Sequence, residues 1–322
     1  MSTAVKAVKK RRQREPEFDK VTWKKDIKRN WVLYIIFIPA AVYFIVFHYL
    51  PMFGIIMAFE DFKVSKGFFG SEWVGFKNFM ELFSGETFGL VMRNTIAMAV
   101  LNLTIGFICP IVLALILSET KVVKFRRVAS VFSYIPYFVA AMVVAQLAKE
   151  FLAKDGAITL LLSFLGLEKQ NWLANSNIPV FWIINLCIDI WVGAGFGSKI
   201  YVASISTVSG DLHEAAAIDG AGRWRRLVSI TLPGILPIIV MMFTLKIGLV
   251  FVTGFDKILL MYMPTTYETA DVLSTYTYRM AFGGTPNYGL SAASGLFQSV
   301  VGTILLFISN WLNKKATNQS LF

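Results

Sequence analysis

The segment DLHEAAAIDGAGRWRRLVSITLPGILP, residues 211–237, lies between two apolar runs of a 322-residue chain and reads as two short helices separated by a glycine break. Glu214, Ala215, Ala216 and Ala217 favour helix, and their small side chains let another surface come close. Asp211 is expected as the N-cap, with Glu214 at the third position after it. Gly220 and Gly222 end that helix. An amphipathic segment follows, with Trp224, Leu227, Val228 and Ile230 for one face and Arg223, Arg225 and Arg226 for contacts at a membrane or protein edge. Pro233 is expected at the start of the next helix, where its missing donor would have no partner anyway. A connection of about 30 residues is longer than packing alone requires, so something uses it.

The surroundings of this loop are those of a bilayer protein. Hydrophobic residues make up 56% of the chain, charged residues only 16%, and mean hydropathy is +0.61. A helix rising ~1.5 Å per residue needs about 20 apolar residues to cross a hydrocarbon core of roughly 30 Å. Six segments meet that length, near residues 31–59, 94–117, 128–147, 178–203, 233–255 and 290–311. The fold class expected is therefore all-α and polytopic. An even number of spans puts both termini on one side. The two tails and the loops 118–127 and 204–232 hold 20 Lys and Arg residues, against nine in the opposite loops, so the richer set is expected in the cytosol. The domain plan is a basic tail over residues 1–30, a membrane domain over 31–312 containing the 204–232 loop, and a short tail over 313–322. The first span is too long for a signal-peptide core and reads as an uncleaved anchor.

The net charge of +11 does not indicate nucleic acid, because eleven of the 31 Lys and Arg residues precede the first span, where they orient the chain. Cys109 and Cys187 both lie in apolar runs and suggest neither a disulfide framework nor a metal site. His48 and His213 are far apart in sequence, and no HExxH or cysteine–histidine cluster occurs. No GxxxxGK[ST] loop is present, so any ATP hydrolysis has to come from another polypeptide, and the chain is not expected to be an enzyme.

Glu214-Ala215-Ala216, three residues, Gly220, nine residues, Ile230, one residue and Leu232-Pro233 resemble the E-A-A-x3-G-x9-I-x-L-P loop of binding-protein-dependent ABC importer permeases, with every fixed position matched. Lys199-Ile200-Tyr201-Val202-Ala203, Trp73-Val74-Gly75-Phe76-Lys77-Asn78-Phe79, and Pro39 with Phe47-His48-Tyr49-Leu50-Pro51 look like the carbohydrate-uptake branch. The likeness covers nearly the whole chain and is nearest to permeases for complex polysaccharide fragments in Gram-positive bacteria. It implies a type I permease fold in a bacterial plasma membrane, working by alternating access. It also implies a second homologous permease, an ATPase dimer that binds ATP and Mg, an extracellular solute-binding lipoprotein, surrounding membrane lipid and an oligosaccharide cargo. No cofactor is expected on this chain. By position, Glu214, Ala215 and Ala216 would seat in the ATPase, Gly220 would permit the turn, Asp219 and Arg223 would brace it, and Pro233 would open the following span.

Polar residues inside spans are costly, which singles out Asp189 and Lys246 as a structural ion pair or as lining of a pathway. Asn102, Gln146, Asn185 and Gln298 add hydrogen-bonding capacity suited to sugars, and Trp182 offers a stacking face or an interfacial anchor. The 193–197 stretch, Gly-Ala-Gly-Phe-Gly, could unwind to expose carbonyls or serve close helix packing. The competing reading is an ion-coupled secondary transporter built on Asp189 and Lys246, which leaves the 204–232 loop without a task.

Overall fold

A computed structural model describes residues 23–251 and 254–317, so most of the expected basic tail and the last five residues lie outside the described residues. Apart from a two-residue antiparallel pair, β1 (Glu60–Asp61) with β2 (Glu72–Trp73), the described chain is built from helices and their connections. It divides into two compact units, Met1–Gly54 and Ile55–Phe322.

In the first unit, α1 (Trp23–Phe44) kinks at Asn30, where φ is −114° and ψ 22°. The kink falls where the charged leader meets the apolar run. Asp26 is held there by Asn30 Nδ2 and Tyr34 OH, each donating to one of its carboxylate oxygens over 2.7 Å. The helical path over Lys25–Phe59 is long and apolar enough to span a bilayer, and none of its most apolar window is buried. Such a surface requires hydrocarbon or another protein around it.

The second unit begins with a tied-down loop. Asn78, on α2 (Lys77–Ser84), donates through Nδ2 to the carbonyls of Ala58 and Glu60, both at 3.0 Å. α3 (Glu86–Leu103) and α4 (Ile105–Glu119) then form one long apolar path broken only at Thr104, with φ −92° and ψ −87°.

The third expected span is not straight. α5 (Val123–Tyr134) ends in a tight turn over Ile135–Phe138, and α6 (Ala141–Leu152) departs at 99°. Pro136 has no N–H to continue the α5 ladder, and Val139 and Ala140 are extended, so the bend is local in origin. With this bent pair counted as one, the described helices supply up to six spans by length and composition.

α7 (Val180–Ile205) is the hub, packing against α3, α4 and α5. It stays helical through residues 193–197. A Cβ on Gly195 would lie 1.8 Å from the Ser133 carbonyl oxygen, so the glycine is what lets α5 backbone touch α7. The stretch thus serves close packing.

After the loop comprising α8 (Gly210–Ile218) and α9 (Arg223–Arg226), a five-residue π turn over Leu227–Thr231 leads into α10 (Leu232–Gly248). The fifth span thus runs helically from Arg223, not from residue 233 as expected. Pro233 falls within this path because the π turn precedes it, Leu232 N–H donating to Leu227 O and shifting the ladder before the missing donor. The span also ends early, at Gly248. Gly254, at φ +88°, turns the chain so that α11 (Phe255–Met261) packs back against α6. α12 (Leu273–Phe282) and α13 (Tyr288–Thr317) complete the fold, α13 lying against α2, α10 and α12. Met98, Ala148, Phe181, Ile258 and Met261 form a shared core of α3, α6, α7 and α11.

Gly195→Val is expected to force α5 and α7 apart at a cost of about 1–3 kcal/mol, while Gly193→Ala, which meets nothing within 4 Å, leaves stability unchanged. Thermal unfolding of the two purified variants in one detergent checks the contrast.

Candidate functional site

Two arrangements bring together most of the residues singled out above. The first is the loop. Its N-cap is Ser209, whose Oγ accepts from Asp211 N–H at 3.2 Å, so the cap falls two residues before the position expected. Asp211 occupies the first turn instead, where a carboxylate meets the positive end of the helix dipole. α8 closes with a double-bonded C-cap: Gly220 N–H donates to Ala217 O at 3.1 Å and Ala221 N–H to Ala216 O at 2.8 Å. Gly220 carries the φ of +79° that this cap requires.

Arg226 Nη1 reaches back to the His213 carbonyl at 3.4 Å and links the two halves of the loop. Asp219 and Arg223 make no ion pair among the described residues, so the bracing seen is that of Arg226. Glu214 and Ala215 are exposed, Glu214 has no ion-pair partner among the described residues, and Leu212 and Ile218 are uncovered, Ile218 at 87% of its full exposure. The helix is capped at both ends and presents an apolar and acidic surface that nothing among the described residues covers.

The second arrangement is a polar node centred on Asp189, about 14 Å along α7 from Val180. The expected pairing with Lys246 does not occur. Asp189 Oδ1 is paired with Lys257 Nζ, while Oδ2 accepts from Asn102 Nδ2 at 2.9 Å and from Asn185 Nδ2 at 3.3 Å. Lys257 also donates to the Asn185 carbonyl at 3.3 Å and is only 7% exposed. Lys246 Nζ instead donates to the Asn102 carbonyl at 2.8 Å and lies 5.9 Å from the Phe107 ring centre. Sequence reasoning assigned Lys257 to an outer loop, because nothing local shows that the chain turns at Gly254 and re-enters the core. Its one signal was a lone lysine in the apolar run FDKILLMY.

Two cavities border the node. One, of about 30 Å³, is lined by Thr95, Asn102, Asn185, Lys246 and Ser274 among others. The other, of about 270 Å³, is bounded by Asn102, Phe107, Asp189, Gly193, Tyr201 and Lys246 with several apolar neighbours. Lys246 borders both. The node thus holds two lysines and one carboxylate, and only Lys257 is ion-paired with it.

Three further candidates lie elsewhere. Gln146 is exposed on α6 and bonded to Glu150 at 2.9 Å. Trp182 donates to the Thr269 carbonyl at 2.8 Å and packs against the core near the start of α7. Gln298 is buried against Thr277, 2.9 Å away, between α12 and α13. A second ion pair that the sequence did not reveal, Arg279 with Asp271, clamps the chain ahead of α12. Burial alone would lower the Arg279 pKa, but the bond and charge of Asp271 and the Tyr262 hydroxyl hold it above the usual arginine value.

Asp189→Asn leaves Lys257 buried without a counter-charge and is expected to cost roughly 3–5 kcal/mol, whereas Lys246→Met, which breaks no ion pair, costs about 1 kcal/mol. In detergent unfolding, adding Lys257→Met to Asp189→Asn should restore part of the loss. Strictly additive losses would rule out the pairing.

The sequence and the overall fold have close counterparts. Residues 106–318 match the family model described as binding-protein-dependent transport system inner membrane component. The chain is 38% identical over 318 residues to the polygalacturonan/rhamnogalacturonan transport system permease protein YteP of Bacillus subtilis (strain 168), covering 95% of this chain and 98% of that protein. It is 37% identical to protein LplB of the same organism, covering 94% of each. It superposes on a chain of the crystal structure of a bacterial alginate ABC transporter in complex with alginate pentasaccharide-bound periplasmic protein, with TM-score 0.84, 36% identity, and coverage of 92% of this chain and 99% of that one. With the glycine-capped loop and apolar helices in the same chain, the protein belongs to the binding-protein-dependent inner membrane components, the multi-pass permease subunits of ABC importers.

Proposed function

We propose that this permease admits an oligosaccharide bearing carboxylates, handed over by an external binding protein and driven by a separate ATPase. The observation that carries the reading is the second lysine of the node. Lys246 faces a cavity of about 270 Å³ with no carboxylate partner among the described residues, since Asp189 is occupied by Lys257. An unanswered ammonium at membrane depth is unfavourable, and a passing uronate would neutralise it. The named cargoes of two relatives, polygalacturonan and alginate, are consistent with such chemistry. Asn102 and Asn185 would add neutral hydrogen bonds to hydroxyls. An ion-coupled transporter built on an Asp189–Lys246 pair is not favoured, because the two residues do not pair and the family works as an ABC importer.

In this reading the exposed face of α8 seats in the ATPase. Glu214 meets a basic side chain there, Ala215 and Ala216 allow close approach, and Gly220 turns the chain toward Arg223. Both termini then lie in the cytosol with the loop.

Two sets of measurements test the proposal. With the complete transporter in proteoliposomes, trigalacturonate uptake by Lys246→Met should fall about 10- to 100-fold, with Lys246→Arg retaining most of it. Neutral galactotriose of the same linkage should be a poor substrate throughout. Equal uptake of the acidic and neutral sugars by the wild type would refute the acidic-cargo reading.

Glu214→Ala and Gly220→Pro, which leave the spans untouched, should insert normally yet lose substrate-stimulated ATP hydrolysis; Pro cannot adopt the positive φ of Gly220. Hydrolysis still tightly linked to uptake in both variants would remove the loop from the coupling path.

A further inference from the structure

A second concave site lies away from the node, where the α4–α5 turn meets the loop. It encloses about 460 Å³ and is walled by Lys121, Arg126, Arg223 and Arg226, with Ser118, Thr120 and His213 alongside and Glu119 as its one carboxylate. None of the four cations, nor Glu119, takes part in an ion pair among the described residues. Arg226 Nε is buried without a hydrogen-bond partner, although its Nη1 is fixed on the His213 carbonyl. Four guanidinium and ammonium groups around one hollow repel one another unless an anion sits among them.

Arg126 is also a wall of an adjoining cavity of about 210 Å³, bounded by Leu117, Val123 and Val202 together with Arg127 and Ser130. Val122, Val123 and Phe125, at the start of α5, are each at least 60% exposed. A charged hollow beside one that adds apolar walls, at the end of membrane-spanning helices, suits a molecule with a phosphate head and hydrocarbon tails.

We propose that this hollow binds the phosphodiester headgroup of an anionic phospholipid, with the Leu117–Val123–Val202 cavity taking the start of its tails. Basic pockets between helix ends are suited to such headgroups, and Arg226, tied to the His213 carbonyl, gives this one a positioned cation beside the exposed Lys121, Arg126 and Arg223. The lipid would bridge the α4–α5 turn and the loop that carries Arg223 and Arg226, so binding would stiffen the loop against the spans.

Native mass spectrometry of the purified full chain, given equimolar cardiolipin and phosphatidylcholine, tests the assignment. The wild type should retain cardiolipin preferentially. Lys121→Ala with Arg126→Ala should weaken that retention about 30-fold, while the charge-keeping pair Lys121→Arg with Arg126→Lys preserves it. Lys154→Ala with Lys169→Ala, removing equal charge elsewhere, should have no effect. Equal loss in that control pair would mean non-specific attraction and overturn the proposal. Displacement of cardiolipin by about 10 mM inorganic phosphate would overturn it in favour of a free-anion site. So would unchanged lipid retention in the Lys121→Ala with Arg126→Ala variant alongside lost co-purification of the ATPase, which would make the hollow a protein contact.

Discussion

A carboxylate placed nine residues into a membrane-spanning helix has to be answered from inside the protein, and much of this fold is arranged around that requirement at Asp189. Three other helices converge on it. α3 supplies Asn102, α7 itself supplies Asn185 one turn earlier, α10 brings Lys246 to the Asn102 carbonyl, and α11 delivers Lys257. The last contribution needs the most unusual backbone: α10 stops at Gly248, and Gly254 turns the chain through the left-handed region so that α11 packs on α6. The apolar residues of α11, Ile258 and Met261, enter the same core as Ala145 and Phe181. The ion pair and the hydrophobic contact therefore fix α11 together, and neither would be in register without the other.

The loop and the node share one mechanical element. From Arg223 the backbone runs through the π turn and α10 without a non-helical break to Gly248, so Arg223 and Lys246 are about 35 Å apart on one continuous helical path. The cap at Gly220 fixes α8 at a definite angle to that path, and Arg226 ties α9 back to α8. A displacement of α8 would reach this helical path through the capped turn at Gly220. The path ends near the residue whose charge faces the larger cavity. Geometry of this kind allows a partner at one end to alter the electrostatics at the other without any contact between them.

How much of this was legible in the sequence follows from whether each feature is decided locally. The glycine cap was legible because three alanines, Asp219 and Gly220 specify it within one turn. The spans were legible because hydrocarbon thickness imposes a length that composition reveals. The α5–α6 bend was encoded at Pro136, but a proline inside an apolar run is compatible with a kinked span as well as a broken one. The position of Ser209 as cap was obscured by Asp211, an equally good capping residue two positions later.

Lys257 marks the boundary of such reasoning. Asp189 and Lys246 both lie in unmistakable spans, so their opposite charges invited pairing, whereas Lys257 followed the end of a span and looked solvated. What decides the partner is tertiary: a turn at one glycine and the packing of Ile258 and Met261 place Lys257 at depth, beyond the reach of any periodicity or spacing rule. Once Lys257 occupies Asp189, Lys246 becomes the surplus cation. Two residues weighed as an ion pair or as pathway lining resolve into a pair, Asp189 with Lys257, and a Lys246 outside any ion pair, and Asp189 and Lys246 both border the larger cavity of the node.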